Sequence, residues 1–285
     1  MKTKLLAALA VLAPPATVLS IALAVTAPAL AQPAAPDAAM ADVLAHDRRA
    51  EDRARDPHRN PAETLAFFGV RPGMTVMDYM PSGGWYTRIL VPYLGPEGTY
   101  IALNPAVPAD ATGFMGAMRD TAQNFPAQAA GWTGPGGARV LGGNVGSVPE
   151  DLHGTVDRFL IFREVHNMHR FDWLRASLAD ARALLKDDGL VGVVQHRGKA
   201  DAPASYTDGH MGYLREADVI ALFQANGFDL AGRSEVNANP RDPADHPRGV
   251  WMLPPGLSGA SDESRPALEA IGESDRMTLL FRKRP

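Results

Sequence analysis

The chain has no cysteine in its 285 residues, which excludes disulfides, thiolate metal sites and cysteine nucleophiles. It also lacks an excess of positive charge, with 28 Lys and Arg against 32 Asp and Glu and a net charge of −4. A nucleic-acid-binding face normally needs clustered basic side chains, so no nucleic-acid partner is expected. There is no G-x-S-x-G elbow of the kind a serine hydrolase places above its sheet. There is no G-x-G-x-x-G followed by an acid about twenty residues later, which a nicotinamide-dependent oxidoreductase would need. Internal repeats are absent too.

Long uncharged apolar sequence is confined to the N-terminus. Lys2 and Lys4 precede the stretch Leu5 to Leu30, which carries no charge, and Ala29-Leu30-Ala31 supplies a small-x-small cleavage site. The stretch is long enough to span a bilayer, but Pro14-Pro15 and Pro28 interrupt it. The expectation is a cleaved signal peptide over 1–31, a Pro/Ala linker over 32–37 and one domain over 38–285. The mature protein would then be periplasmic or secreted, with no stable membrane insertion. Removing Lys2 and Lys4 from the 28 basic side chains leaves 26 against 32 acids, a balance of −6. About 250 residues can bury a substantial single core.

Residues 71 to 105 form the most informative unit. Thr75 to Tyr79 reads as a short apolar strand closed by Asp78, Pro81 to Gly84 as a tight turn, and Trp85 to Leu94 as an apolar helix. Gly95 to Gly98 turns again and Thr99 to Leu103 is a second strand. The glycines remove Cβ where a ligand would approach the backbone. A Gly-rich turn at a helix N-terminus also offers free N–H groups to an anionic group.

Around this unit the pattern alternates. Residues 38–70 hold two helices: a charged one from Ala38 to Arg55, expected to be a solvated face, and one from Pro61 to Phe68 with proline in its first turn. Downstream, helices are expected over Ala109 to Phe125, Phe171 to Leu185 and Arg215 to Asn226. Strands are expected over Ala138 to Gly142, Arg158 to Phe162, Leu190 to Gln195, Phe228 to Val236 and Arg276 to Phe281. The turn Asp187-Asp188-Gly189 separates the second of these helices from the strand after it. The long connection 237–275, rich in proline and glycine, is a candidate lid with a short helix near Arg265 to Ile271. Alternating strands and helices of these lengths indicate a mostly parallel, doubly wound sheet.

The strand–Gly-Gly–helix unit, Val156-Asp-Arg-Phe-Leu-Ile-Phe162, Leu184-Leu-Lys-Asp-Asp-Gly-Leu-Val-Gly-Val-Val194 and Asn226-Gly-Phe-Asp-Leu-Ala-Gly232 follow one another as in class I S-adenosylmethionine-dependent methyltransferases, which the chain resembles. More narrowly, Arg53-Ala-Arg-Asp56, Arg59-Asn-Pro61, Gly83-Gly84-Trp85-Tyr86-Thr87, Arg163-Glu-Val-His-Asn167 and Asp275-Arg276 resemble a group of exported bacterial predicted methyltransferases. The resemblance covers nearly the whole mature chain. It implies a Rossmann-like seven-stranded sheet, mostly parallel, with a C-terminal antiparallel hairpin and helices on both faces. It implies S-adenosylmethionine as cofactor and a small-molecule acceptor.

The departures from that family lie in the cofactor loop. The usual acid-x-Gly-x-Gly-x-Gly reads here Asp78-Tyr79-Met80-Pro81-Ser82-Gly83-Gly84. The acid that normally closes the second strand is Asn104, and the acid after the third is Asn144. An amide accepts from a hydroxyl without the charge-assisted bond a carboxylate makes. These positions also suit a second reading: a methyltransferase-fold binding protein without transfer activity, holding a nucleoside, a metabolite or a metal.

Ligands of open α/β sheets sit at the carboxyl ends of the strands. That criterion selects Asp78, Ser82, Gly83 and Gly84 after the first strand, Asn104 after the second, Asn144 after the third, Arg163 and Glu164 after the fourth. By the resemblance, these are cofactor-binding candidates. His166 and His196, after the fourth and fifth strands, are the candidate general bases, because imidazole has the right proton affinity. His169 and His210 are less well placed. The His166-Asn-Met-His169 spacing could bring two imidazoles together, but it is a weak metal signature and no metal is expected. Trp85, Tyr86 and Trp251 read as core or rim aromatics.

Overall fold

A computed structural model describes residues 38–285. The expected signal peptide and linker lie outside the described residues. In chain order the helices are α1 (Ala38–Ala45), α2 (Asp56–Arg59), α3 (Pro61–Phe67), α4 (Thr87–Leu94), α5 (Gly113–Thr133), α6 (Val165–Arg170), α7 (Leu174–Leu184), α8 (Glu216–Ala225) and α9 (Arg265–Ile271). The strands are β1 (Thr75–Tyr79), β2 (Thr99–Asn104), β3 (Arg139–Asn144), β4 (Val156–Phe162), β5 (Leu185–Gly198), β6 (Leu214–Arg215), β7 (Phe228–Ser234) and β8 (Arg276–Lys283).

The sheet order is β3-β2-β1-β4-β5-β8-β7, with the two-residue β6 added beside β5. Every pairing from β3 to β5 is parallel, and β8 runs antiparallel to both β5 and β7. This is the Rossmann-like sheet with a closing antiparallel hairpin, carrying one more short strand than the seven expected.

Central strands are buried on both faces and therefore read as apolar runs. Met77, Tyr79, Ile101, Leu103, Phe159 and Val193 turn to one face, where they meet Leu178 and Leu184 of α7 and Val219 and Phe223 of α8. Val76, Tyr100, Ala102, Leu160 and Val194 turn to the other, against Leu65 of α3, Ile89 and Leu90 of α4 and Phe125 of α5. The two-residue alternation of a strand is the reason neighbours part this way.

Three expectations change. The charged stretch from Ala38 to Arg55 is not one helix with a solvated face: α1 stops at Ala45 and short 3₁₀ turns follow at Asp47–Arg49 and Arg53–Arg55. Two of its charges are used internally, while Asp42, Asp47, Glu51 and Arg53 stay exposed. Arg49 is fully buried and pairs with Asp56 at 2.7 Å, while Asp52 pairs with Arg88 at 2.6 Å. Helix α5 runs on past Phe125 and through Pro126 to Thr133, because Phe125 and Ala129 keep its face docked on the core. Finally, Asp187-Asp188-Gly189 is no turn. It lies inside the fourteen-residue β5, which begins where α7 ends.

The 237–275 segment folds onto the sheet edge around Asp242. That fully buried carboxylate accepts from Ala244 N at 2.9 Å, Asp275 N at 2.8 Å, Tyr213 OH at 2.9 Å and His246 Nε2 at 3.0 Å. Tyr213, Ala244 and Val250 form a small core of their own.

Candidate functional site

The strand order reverses between β1 and β4, so the crevice outside their carboxyl ends is where an open α/β sheet binds ligands. Two cavities flank that point, one on the β1–β2 side and one on the β4–β5 side.

Asp78, next to last in β1, is buried and accepts from Tyr100 OH at 2.8 Å; Tyr100 OH in turn lies 2.9 Å from Thr87 Oγ1. Burial pushes the Asp78 carboxyl up to about 7, the Tyr100 bond opposing and the Glu164 carboxylate assisting. Beyond it the loop is tightly wound, with Met80 at φ 52°, Ser82 at φ 50° and Gly84 at φ 74°. Met80 N donates to Leu103 O at 2.8 Å and Ser82 Oγ to Met80 O at 3.2 Å. The two glycines differ. A Cβ on Gly84 would lie 2.4 Å from the Trp132 ring, whereas one on Gly83 would meet nothing within 4 Å. Gly84 therefore makes room for Trp132, and Gly83 is the one that leaves bare backbone open.

Asn104 and Asn144 are partners in the β2–β3 register. Asn104 Nδ2 donates to Met118 O at 3.2 Å and Asn144 Nδ2 to Pro105 O at 3.0 Å. The first cavity, about 190 Å³, is lined by Met80, Pro81, Ser82, Asn104, Met118 and Phe125 among others. Of the expected cofactor residues, Ser82 and Asn104 line it. Arg163 and Glu164, also expected there, line the second cavity instead, and Asp78, Gly83, Gly84 and Asn144 line neither.

The second cavity, about 300 Å³, brings together Arg163, Glu164, His166 and His196 with Trp251, Ser274 and Arg276. Arg163 follows β4 in a left-handed backbone conformation, φ 64°, and its N–H donates to Val194 O at 2.6 Å. Non-glycine residues adopt this conformation at a cost, typically where a site requires it. Glu164 accepts from Asn167 Nδ2 at 2.6 Å, and burial raises its carboxyl to about 7 against the pull of that bond and of Arg163. The two imidazoles lie 5.7 Å apart between ring centroids. His166 Nδ1 is 3.5 Å from Gln195 Oε1, and His196 Nδ1 is 2.6 Å from Ser274 Oγ.

Both rings are held neutral. Burial lowers His166 to about 4, with Arg170 and Arg163 adding to it and the Gln195 contact opposing. His196 falls well below the usual imidazole range through burial and then Arg276. An imidazole this reluctant to take a proton is a poor general base at neutral pH.

Sequence reasoning left unassigned the charged group behind this cavity. Glu273 is buried and bonded at 3.0 Å to Arg59 Nε and also to Arg276. The guanidiniums hold its carboxyl down at about 2, overcoming the cost of burial. Arg59 lies over the Trp85 ring at 4.8 Å. Tyr86 stacks on Phe162 at 3.5 Å, so Trp85 and Tyr86 are core residues. The signals were present as Arg59-Asn-Pro61 and Asp275-Arg276, motifs without an evident chemical role until folding joined them.

Elsewhere, Trp251 is 39 % exposed at the cavity rim. His169 is exposed and lines a separate hollow with Asp208 and Leu214, so it does not converge with His166. His210 is exposed and pairs with Asp208 at 3.2 Å. Among the described residues no group of three or more His, Asp and Glu is arranged to hold a metal ion.

No family model matches the chain, and no curated protein matches it in sequence. Among solved structures it is similar to a SAM-dependent methyltransferase from Aquifex aeolicus, with 20 % identity, TM-score 0.46, and 67 % of this chain and 94 % of that one covered. It is also similar to 1,6-didemethyltoxoflavin-N1-methyltransferase from Burkholderia thailandensis, a structure with S-adenosylhomocysteine bound, with 16 % identity, TM-score 0.44, and 90 % and 95 % covered. At this distance neither likeness says anything about the activity of this chain.

Proposed function

We propose that the protein is an S-adenosylmethionine-dependent methyltransferase acting on a small molecule outside the cytoplasm. The observation that carries this reading is the pair of cavities flanking the switch point between β1 and β4. A bisubstrate transfer needs two adjoining sites at one strand edge, and positioning is most of the catalysis when the methyl donor is already activated.

The residues of the first cavity suit the nucleoside part of that cofactor. Met80, Met118 and Phe125 supply apolar walls. Asn104 gives one amide N–H to Met118 O and keeps its amide oxygen to accept from a hydroxyl. The volume, about 190 Å³, falls below the roughly 300 Å³ at which drug-sized pockets begin, so it is sized for a nucleoside moiety alone. The open backbone at Gly83 can admit the remainder. When bound, the cofactor supplies an electrophilic methyl group.

The chain's own residues then deal with the acceptor. Glu164, poised near neutrality on the wall of the second cavity, takes the proton of an oxygen or nitrogen acceptor. His166 and His196 stay uncharged and orient it through hydrogen bonds. Titration of the purified mature protein with S-adenosylhomocysteine tests the reading. Saturable heat at micromolar ligand supports it, and silence at high micromolar ligand sinks it.

One observation favours a second reading, binding without transfer. Amides replace acids at Asn104 and Asn144, each with one N–H on a chain carbonyl, so neither supplies the charge-assisted acceptor that a carboxylate would. Methyl transfer by the wild-type protein would eliminate that reading, whereas tight nucleoside binding by Asn104→Asp without turnover would favour it.

A further inference from the structure

The second cavity has more positive charge than its own carboxylates neutralise. Arg163 and Arg276 line it, and Arg59 lies close enough for its charge to act, with theirs, on Tyr86 and His196. Among the described residues Glu273 is the one carboxylate bonded to any of them, and it serves Arg59 and Arg276. Arg163 makes no side-chain hydrogen bond or ion pair within the described chain. Arg59 Nη1 and Arg276 Nε are buried without a partner. Glu164, the acid on the cavity wall itself, is bonded to Asn167 rather than to an arginine.

Desolvated guanidinium N–H groups are costly unless an acceptor meets them. Among the described residues no chain acceptor meets Arg59 Nη1 or Arg276 Nε, the half-buried Arg163 guanidinium lines the cavity without a chain partner, and the left-handed backbone of Arg163 is maintained at the cavity wall. The lining also has an apolar part, Val250, Trp251, Leu253 and the cis pair Pro254-Pro255. The cavity therefore offers guanidiniums to an oxyanion and apolar surface to a flat body.

We propose that this cavity binds a small carboxylate, its anionic group on the Arg163 guanidinium and its apolar body against Trp251. A planar carboxylate matches the guanidinium fork in a bidentate pair. The inference rests on the reading of this cavity as the acceptor site, and it names the class of acceptor: an aromatic or otherwise flat acid whose carboxylate anchors it while a second group is methylated. The neutral imidazoles fit this assignment. They donate to or accept from the acceptor without competing for the arginine.

The test uses the mature chain and three ligands: benzoate, its neutral analogue benzamide, and inorganic phosphate. Binding is followed by tryptophan fluorescence and calorimetry. The expected result is saturable binding of benzoate, none of benzamide over the same range, and weaker binding of phosphate. Arg163→Met should weaken benzoate by about tenfold or more, and Arg163→Lys should recover part of the loss. Benzamide binding as well as benzoate, or Arg163→Met binding benzoate unchanged, would overturn the proposal. Phosphate binding better than benzoate would overturn the carboxylate assignment. If the arginine variants fail to fold, the wild-type preference for benzoate over benzamide still decides. S-Adenosylhomocysteine is titrated in parallel. Benzoate binding without it leaves the anion site standing while the methyl-transfer reading fails, and the reverse result fails the anion site alone.

Discussion

Arg276 stands directly opposite His196 in the β5–β8 ladder, at the carboxyl end of β5. The closing hairpin of the sheet thus delivers a guanidinium to the same edge at which the parallel strands deliver their site residues. Glu273, three residues earlier, ties Arg276 to Arg59 in the N-terminal helices, so both ends of the domain meet behind one cavity.

That tie has a pH signature. Glu273 is held at about 2 in the fold, below its unfolded value, so its stabilisation is complete above about pH 4.5 and is lost as the pH falls toward 2. The contribution is roughly 3 kcal/mol. Glu273→Gln should cost about 3–5 kcal/mol at pH 7, because it leaves two buried guanidiniums uncompensated. Urea denaturation at pH 7 and pH 3 checks both statements. A variant as stable as wild type at pH 7 would refute them.

Asp78 has the opposite sign. Its carboxyl titrates at about 7 in the fold, above its unfolded value, so folding takes up a proton. The penalty is absent below about pH 4 and complete above about pH 7. Asp78→Asn removes an ionisation that costs roughly 4 kcal/mol at most, and an amide oxygen can still accept from Tyr100. The variant should gain stability at pH 8 and little at pH 4. Equal effects at both pH values would contradict the assignment.

The neighbouring glycines should behave differently. Gly84→Ala places a Cβ against Trp132 at a positive φ and should destabilise by about 1–3 kcal/mol. Gly83→Ala meets open space and should change stability by less than about 0.5 kcal/mol, while weakening S-adenosylhomocysteine. Thermal melts and calorimetry on the two variants separate these outcomes. Loss of stability at Gly83 with no loss of affinity would count against the ligand assignment.

Glu164 should set the pH dependence of transfer. With its carboxyl near 7, the rate at subsaturating acceptor should rise through about pH 7 and level off above it. Glu164→Gln should lower the rate by about 10²–10⁴-fold and leave S-adenosylhomocysteine affinity unchanged. A wild-type profile flat from pH 5 to 9 would exclude the role.

Much of the scaffold was legible because it is local. The strand Thr75–Tyr79, the Gly-Gly turn and the short helix Arg265–Ile271 follow from apolar spacing and turn residues within a few positions. That Arg163, Glu164, His166 and His196 lie at the carboxyl edge of the sheet followed from one rule about strand ends, while their meeting in one cavity apart from Ser82 and Asn104 did not. The charged network did not. Arg59 and Glu273 are 214 residues apart, and nothing in either neighbourhood marks the other. Arg49 and Asp52 were misjudged for a related reason: interleaved charges look solvated in sequence and are buried here because their partners, Asp56 and Arg88, come from adjoining elements. Helix α5 outran Pro126 because tertiary packing on β2 and β3 outweighs one lost backbone bond.

The prolines of 237–275 suggest a loose cover, yet Asp242 draws four bonds from three separate stretches of chain. The outer wall of the second cavity is therefore fastened at the point where the last strand begins. Amides near that carboxylate, Ala244 and Asp275 above all, should exchange their hydrogens only when the sheet itself opens. Molecules reaching the arginines would then pass around a fixed rim, and turnover would not wait on the refolding of this segment.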